Sequence, residues 1–572
     1  MISGTGGLVK DGAATVTLSG ANTYTGGTTI NNGTLAIGAG GSLAATGAVN
    51  LAGAGTFDIS AGNQAIGSLA GVAGSTVALG GSTLTLGGTV DSTFSGAISG
   101  NGGLVKNGAG VQTLNGGSTF SGGVTLNAGG LVVGNNAALG TGAVTVAGAA
   151  TLDSNTAVTL ANNFTLNNAL TVLGSNNLTL NGNLSGTGSL TKEGAATLTL
   201  NGTNTYTGGT NINAGTLALG AGASLHASGI VNLASGATFD LSAGSGTQQF
   251  GTLVGNGTVN LGANTLTIGD ASNGTFSGSL AGSGGLIKEG SGTQTLTGTN
   301  TFTGGTTINA GTLAIGAGGS LAATGAVNLA NAGTTFDISA GGAQAIGSLA
   351  GVAGSTVALG GSTLTLNGVG NTTFAGTIGG AGGLVKNGAG IQGLTGVNVF
   401  TGGVTLNAGG LLLGNDGSLG TGALTVGGNA SLDGTSALTL ANTVQLANGT
   451  LTLAGSNALT LNGPISGAGG LLKDGAAPVT LGGASTYTGT TTINSGTLAV
   501  AAGGSLSGAS TVNLSGAGTL DISAGGSQSI GGLAGVTGSS VVLGGATLTT
   551  GGNNGSTTFG GVLSGTGGLV QS

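Results

Sequence analysis

The sequence predicts an all-β chain wound as a parallel β-solenoid, with about three short strands per coil. Three observations carry that expectation. Gly accounts for 135 of 572 residues, while Pro is 2, Cys and Trp are absent, and charged residues make up 3 %. Short Thr-, Val-, Ile- and Leu-rich runs alternate apolar and small polar residues. The whole pattern repeats along the chain, which is how a fold grows when each unit contacts only its neighbours.

The strands come first. Thr15–Leu18, Thr28–Asn31, Thr34–Ile37, Ala48–Leu51, Thr56–Ile59 and Ser82–Leu86 all alternate with period two. Gly, Asn or Ser-Gly bounds each run and supplies turns. No stretch combines helix formers with a 3.6-residue period. Strands this short and this dense imply roughly 20–25 residues per coil. That gives about 25 coils, a rod on the order of 120 Å long at ~4.8 Å per rung.

The modules come next. GGLVK at 6–10 returns at 102–106, GSLTK at 188–192, GGLIK at 284–288, GGLVK at 382–386 and GGLLK at 469–473. Long modules carry TYTGGT-like and TFDIS phrases, and short ones carry TFSGGVTLNAGGL. The expected modules are 6–101, 102–187, 188–283, 284–381, 382–468 and 469–566, within one continuous β-helix over 1–572. Residues 567–572 (GGLVQS) read as the start of a truncated seventh. The triplets 6–283 and 284–566 are themselves copies: TLAIGAGGSLAATGAVNLA stands unchanged at 34–52 and 312–330.

Charge excludes several functions. Six Lys, no Arg and a net charge of −7 cannot neutralise a run of phosphates, so a nucleic-acid partner is not expected. Without Cys there are neither disulfides nor thiolate metal sites. Charge-free stretches such as Ile59–Val90 alternate and are full of Gly, Ser and Thr, so they do not read as membrane helices. Thirteen acids are too few for calcium-binding Gly-rich nonapeptide arrays.

GGLVKDGAATVTLSGANTYTGGTTINNGTLAIG at 6–38 resembles the autotransporter-associated β-strand repeat of type V secreted passenger domains. The pattern matches 4–35, 186–217, 282–313 and 467–498, and more loosely 100–131 and 380–411. The resemblance implies a right-handed parallel β-helix on the bacterial cell surface, or shed from it, with a C-terminal translocator barrel in the full-length protein. It implies nothing about catalysis. The amino terminus has no basic and apolar leader, so the chain reads as a passenger segment of something longer.

Several polar and aromatic positions recur along the chain. Lys10, Lys106, Lys192, Lys288, Lys386 and Lys473 are the only cations. They read as solvated register marks at a corner or outer face, about four coils apart, too distant to act as an anion-binding stripe. Asp58, Asp153, Asp240, Asp337, Asp433 and Asp521 follow their Lys by 47–49 residues and read as Asx-type turn residues or as acids simply solvated on the outer face. They are too isolated for a glycosidase carboxylate pair. Asp91, Asp270 and Asp416 occupy non-equivalent loops. His226 is the sole His, in a slot held elsewhere by Ala44, Ala322 and Ser507, and forms no expected Ser-His-Asp set. Tyr24, Phe120, Tyr206, Phe302, Phe400 and Tyr487, with Phe57, Phe239 and Phe336, read as packing at fixed rungs.

The expected function is therefore a non-enzymatic stalk or adhesin segment, without catalytic, cofactor or metal residues, acting by self-association or on a host surface or glycan. The alternative is an ice- or crystal-binding solenoid using Thr pairs such as Thr15/Thr17 and Thr83/Thr85. An enzyme carried elsewhere in a longer chain is the third reading.

Overall fold

The computed structural model describes residues 1–572, all in short strands and turns with no helix. Every named strand pairing is parallel, and the strands stack as a β-solenoid of about 28 turns. The step between paired strands runs from 18 residues (Thr247 to Thr265) to 23 (Gly351 to Phe374). The chain forms two compact units, Met1–Gly285 and Leu286–Ser572, which divide it where the sequence duplicates.

In the first unit one face runs without a break from Leu8–Lys10 to Gly274–Phe276. The second face holds a five-stranded sheet, from Val16–Leu18 to Ala97–Ser99, and a seven-stranded one, from Val158–Leu160 to Ser279–Gly282. The third holds a seven-stranded sheet from Gln64–Ile66 to Leu184–Ser185. The second unit repeats this plan, with seven-stranded sheets from Gln344–Ile346 to Ile465–Gly467 and from Leu438–Leu440 to Val562–Gly565.

Most strands are three residues long, with their two ends pointing inward and the middle residue outward, as in Val124–Leu126 and Leu178–Leu180. This is the expected alternation, compressed to one outward residue per strand. Parallel, in-register pairing stacks like on like: Leu84, Leu104, Val124, Val144 and Phe164 form one inward column. The aromatic positions lie inside, with Phe57, Phe120, Phe239 and Phe336 at 0 % exposure. Tyr24, Tyr206 and Tyr487 are buried with them and place the hydroxyl 2.6 Å from the Thr28, Thr210 and Thr491 hydroxyls. Gly71 has a steric reason to be Gly, because a Cβ there would lie 2.8 Å from the Phe94 ring.

Candidate functional site

The six lysines correct the sequence reading: they are not solvated marks on an outer face. Lys192 and Lys473 have 0 % of their surface exposed, and Lys10, Lys106, Lys288 and Lys386 no more than 4 %. The reason is the strand period. In Leu104–Lys106 the first and third residues share a face, so Leu and Lys turn inward together and Val105 turns outward.

Each long-module Lys sits where the chain leaves its strand and turns a corner. The Lys10 Nζ donates to the carbonyls of Asp11 (2.8 Å), Gly12 (2.7 Å) and, one coil on, Asn32 (3.0 Å). Lys473 repeats this with Asp474, Gly475 and Ser495 at 2.7–3.1 Å. Lys192 donates to Glu193, Gly194 and Ala214, and Lys288 to Glu289, Gly290 and Ala310. The turn itself needs Gly: Gly194 has φ 63°, and a Cβ there would meet the Leu173 carbonyl oxygen at 2.2 Å. A sharp corner leaves carbonyls at the edge of the core without ladder partners, and the buried ammonium supplies the missing donors. In the short modules Lys106 donates to Gly108 and Lys386 to Gly388.

Burial pushes the Lys106, Lys192, Lys386 and Lys473 ammonium groups below their ordinary value, and nearby acids oppose this at Lys106, Lys192 and Lys473. The carbonyl cage works in the same opposing direction by hydrogen-bonding the charged form. Burial raises the Tyr24 and Tyr206 phenols, and Tyr487 is pushed up to about 12.

The Lys positions do not share one face. Lys10 and Lys192 lie on the unbroken face, nine rungs or about 43 Å apart. Lys106 lies on the third face.

The residue after each Lys forms a rung of its own. Asp11, Glu193, Glu289 and Asp474 accept from the side-chain amides of Asn31, Asn213, Asn309 and Asn494 at 2.6–3.1 Å. Asn107 and Asn387 do the same for Asn127 and Asn407. Hydrogen bonds from the Gly475 N–H, Asn494 and Ser495 hold the Asp474 carboxyl below its ordinary value.

Of the six recurrent Asp residues, four form Asx turns. Asp58, Asp240, Asp337 and Asp521 each accept the N–H two residues on, from Ser60, Ser242, Ser339 and Ser523, at 2.8–2.9 Å. Asp153 and Asp433 bind the next N–H and reach a serine hydroxyl one coil on, Ser175 and Ser456, at 2.5 Å. Asp91, Asp270 and Asp416 likewise accept backbone N–H groups, from Val111, Ser272 and Thr439.

His226 is half-buried, and its Nδ1 faces both the N–H and the hydroxyl of Ser228 at 3.3 and 3.1 Å. Two contacts from one residue two positions on describe a local turn, not a nucleophile positioned by a base. No three of His, Asp and Glu converge in a way that could hold a metal ion. Three shallow surface grooves, of about 460, 410 and 210 Å³, have no titratable side chain in their lining. The paired-Thr array also breaks up. One outward column reads Thr85, Val105, Thr125, Thr145 and Thr165, and the column beside it reads Thr83, Gly103, Gly123, Ala143 and Asn163.

Sequence reasoning missed the buried amides. The Gln64 Nε2 donates to Gly41, that of Gln112 to Leu69, two coils back, and that of Gln392 to Leu349, each at 3.0 Å. Asn22, Asn204 and Asn300 span Gly20/Ser42, Gly202/Ser224 and Gly298/Ser320 in the same way. The signal was present: in Gln64–Ile66 the Gln shares its face with Ile.

These features define a repeat solenoid whose recurrent polar residues are engaged with its own backbone. Six segments, 8–37, 104–133, 190–219, 286–315, 384–413 and 471–500, match the passenger-associated-transport-repeat model, one in each module. The chain thus carries six copies of this repeat, and the pattern matches an autotransporter passenger repeat domain. The two short modules match as fully as the long ones. No curated protein and no solved structure matches the chain.

Proposed function

We propose that this chain is a non-enzymatic structural segment of an autotransporter passenger, a stalk or adhesin held at the cell surface or released from it. The observation that carries the reading is where the charge goes. The lysines cap corner carbonyls and the TFD-phrase acids cap turn amides, so the recurrent charged groups build the scaffold instead of converging on a substrate. The repeat family supports export, with a translocator barrel supplied by the full-length protein. Partners on this reading are further copies of the chain, host surfaces or glycans, met by the hydroxyl- and amide-rich outer columns.

The test places the chain between a secretion leader and a translocator barrel in a Gram-negative host. Antibody binding to intact cells, and settling of those cells against a barrel-only control, are the readouts. Surface detection with faster settling or increased adhesion supports the proposal. A chain retained inside, or one that is displayed without changing cell behaviour, counts against it.

A further inference from the structure

Buried lysines have a consequence for the surface. There is no Arg, and all six Lys side chains are inside, so apart from the amino terminus the exposed surface carries no aliphatic amine and no guanidinium. Each Lys peptide bond is also engaged. The carbonyls of Lys10, Lys106, Lys192, Lys288, Lys386 and Lys473 accept from the N–H of Asn31, Asn127, Asn213, Asn309, Asn407 and Asn494 one coil on, at 2.8–2.9 Å. On the other side of the bond, the N–H groups of Asn107, Glu193, Asn387 and Asp474 donate to Leu86, Val172, Leu366 and Leu453 one coil back, at 2.8–2.9 Å.

We propose that the lysine slot is a protective device, removing from the folded surface every bond a trypsin-type protease recognises and every ε-amine an acyl donor could modify. Such a protease must seat the cation in its specificity pocket and place the scissile carbonyl in its oxyanion hole. Here the cation lies in the core and the carbonyl is held in a ladder, so cleavage requires several rungs to open together. Acylation fails for a related reason. The neutral amine nitrogen must attack an activated thioester or ester carbonyl, forming the N–C bond. The C–S or C–O bond then breaks, and the nitrogen's proton leaves with the thiol or alcohol. An ammonium donating to carbonyls has no free lone pair, and the buried position gives the acyl donor no approach. The benefit against proteases rests on the extracellular reading above; the chemistry does not depend on it.

The test uses the full 572-residue chain. It is treated with N-hydroxysuccinimidyl acetate and, separately, with trypsin, in buffer and in denaturant, and read by intact mass and peptide mapping. The expected native product carries one acetyl group, at the amino terminus, and denaturant adds one on each lysine. Native acetylation of each lysine should be at least about 100-fold slower than in the unfolded chain, because it needs local opening. Trypsin should leave the folded chain whole. An Ala109→Lys chain, altered at an exposed corner, should gain one fast native acetylation site. Native labelling of the slot lysines within tenfold of the unfolded rate, or trypsin nicks after them, would overturn the proposal. So would an Ala109→Lys chain that gains no label, since something other than the slot would then be shielding amines. Antibody access on intact cells separates the two readings. A displayed chain labelled at its slots sinks this proposal alone, and a protected chain kept inside sinks the extracellular one.

Discussion

Replacing Lys192 by Met keeps the volume of the buried stem and removes the ammonium. Three carbonyls, of Glu193, Gly194 and Ala214, then lose their donor. At up to roughly 2 kcal/mol for each of these part-buried carbonyls left unsatisfied, the loss is at most about 6 kcal/mol. Against it stands the relief of not burying a charge, about 3 kcal/mol. The net destabilisation is at most about 3 kcal/mol. Lys106→Met gives a different balance. Its one identified acceptor is Gly108, so about 2 kcal/mol is lost against the same relief, and the change is neutral to slightly stabilising. A solenoid does not unfold in one step, so a global midpoint is the wrong observable. Native-state amide exchange reads each corner directly. Lys192→Met should accelerate exchange of the Glu193 and Asn213 amides, which flank the corner, by up to about 150-fold. The equivalent Asn107 and Asn127 amides in Lys106→Met should stay within a few-fold of the parent or slow down. Equal effects at the two sites, or none at Lys192, would refute the carbonyl-capping argument.

Three further outcomes follow from the same geometry. Tyr487 is held near 12 in the folded chain and titrates near 10 when unfolded, so its contribution is intact below about pH 10 and is lost as the pH rises toward 12. In a Tyr24→Phe/Tyr206→Phe chain, which leaves Tyr487 as the only Tyr and has no Trp, phenolate absorbance should therefore stay low at about pH 11 until the fold opens; a smooth rise near 10 would contradict it. The lysines act oppositely: with folded values below 10.5, Lys192 and Lys473 bind fewer protons folded than unfolded, so their contribution improves as the pH rises toward 10.5. Amide exchange at their corners, corrected for the intrinsic pH dependence, should slow over that range in the parent and not in the Lys→Met variants. Gly194→Ala combines a positive φ with a carbonyl at 2.2 Å and should cost more than about 2 kcal/mol, read as loss of local exchange protection, whereas Ala195→Gly beside it should cost about 1 kcal/mol or less.

The solenoid was legible because its signals are redundant. Thr34–Ile37 stands at its expected bounds, and the runs at Ala48–Leu51 and Thr56–Ile59 each shed one residue to Val49–Leu51 and Thr56–Asp58. The Asx role of Asp58, Asp240, Asp337 and Asp521 was legible as one of two readings, since an acid at a strand end two residues before Ser offers a local acceptor. The Lys slot misleads because its charge argues for solvent while its period argues for the core. Alternation places Lys10 on the face of Leu8 and Val9 on the other, and the structure follows alternation. What no short window of sequence displays is the partner one coil away. The Asn32 carbonyl that receives Lys10 lies 22 residues on, and Gln112 reaches a carbonyl 43 residues back. Buried polar groups become intelligible only once the coil length is known.

Where the six ammonium groups point is measured directly by an experimental density map of the full chain. It should show the Lys473 Nζ inside the coil, within about 3 Å of the Asp474, Gly475 and Ser495 carbonyl oxygens, with the same cage at Lys10, Lys192 and Lys288. Density placing these side chains in solvent, with Val9 and Leu472 packed inside, would contradict it.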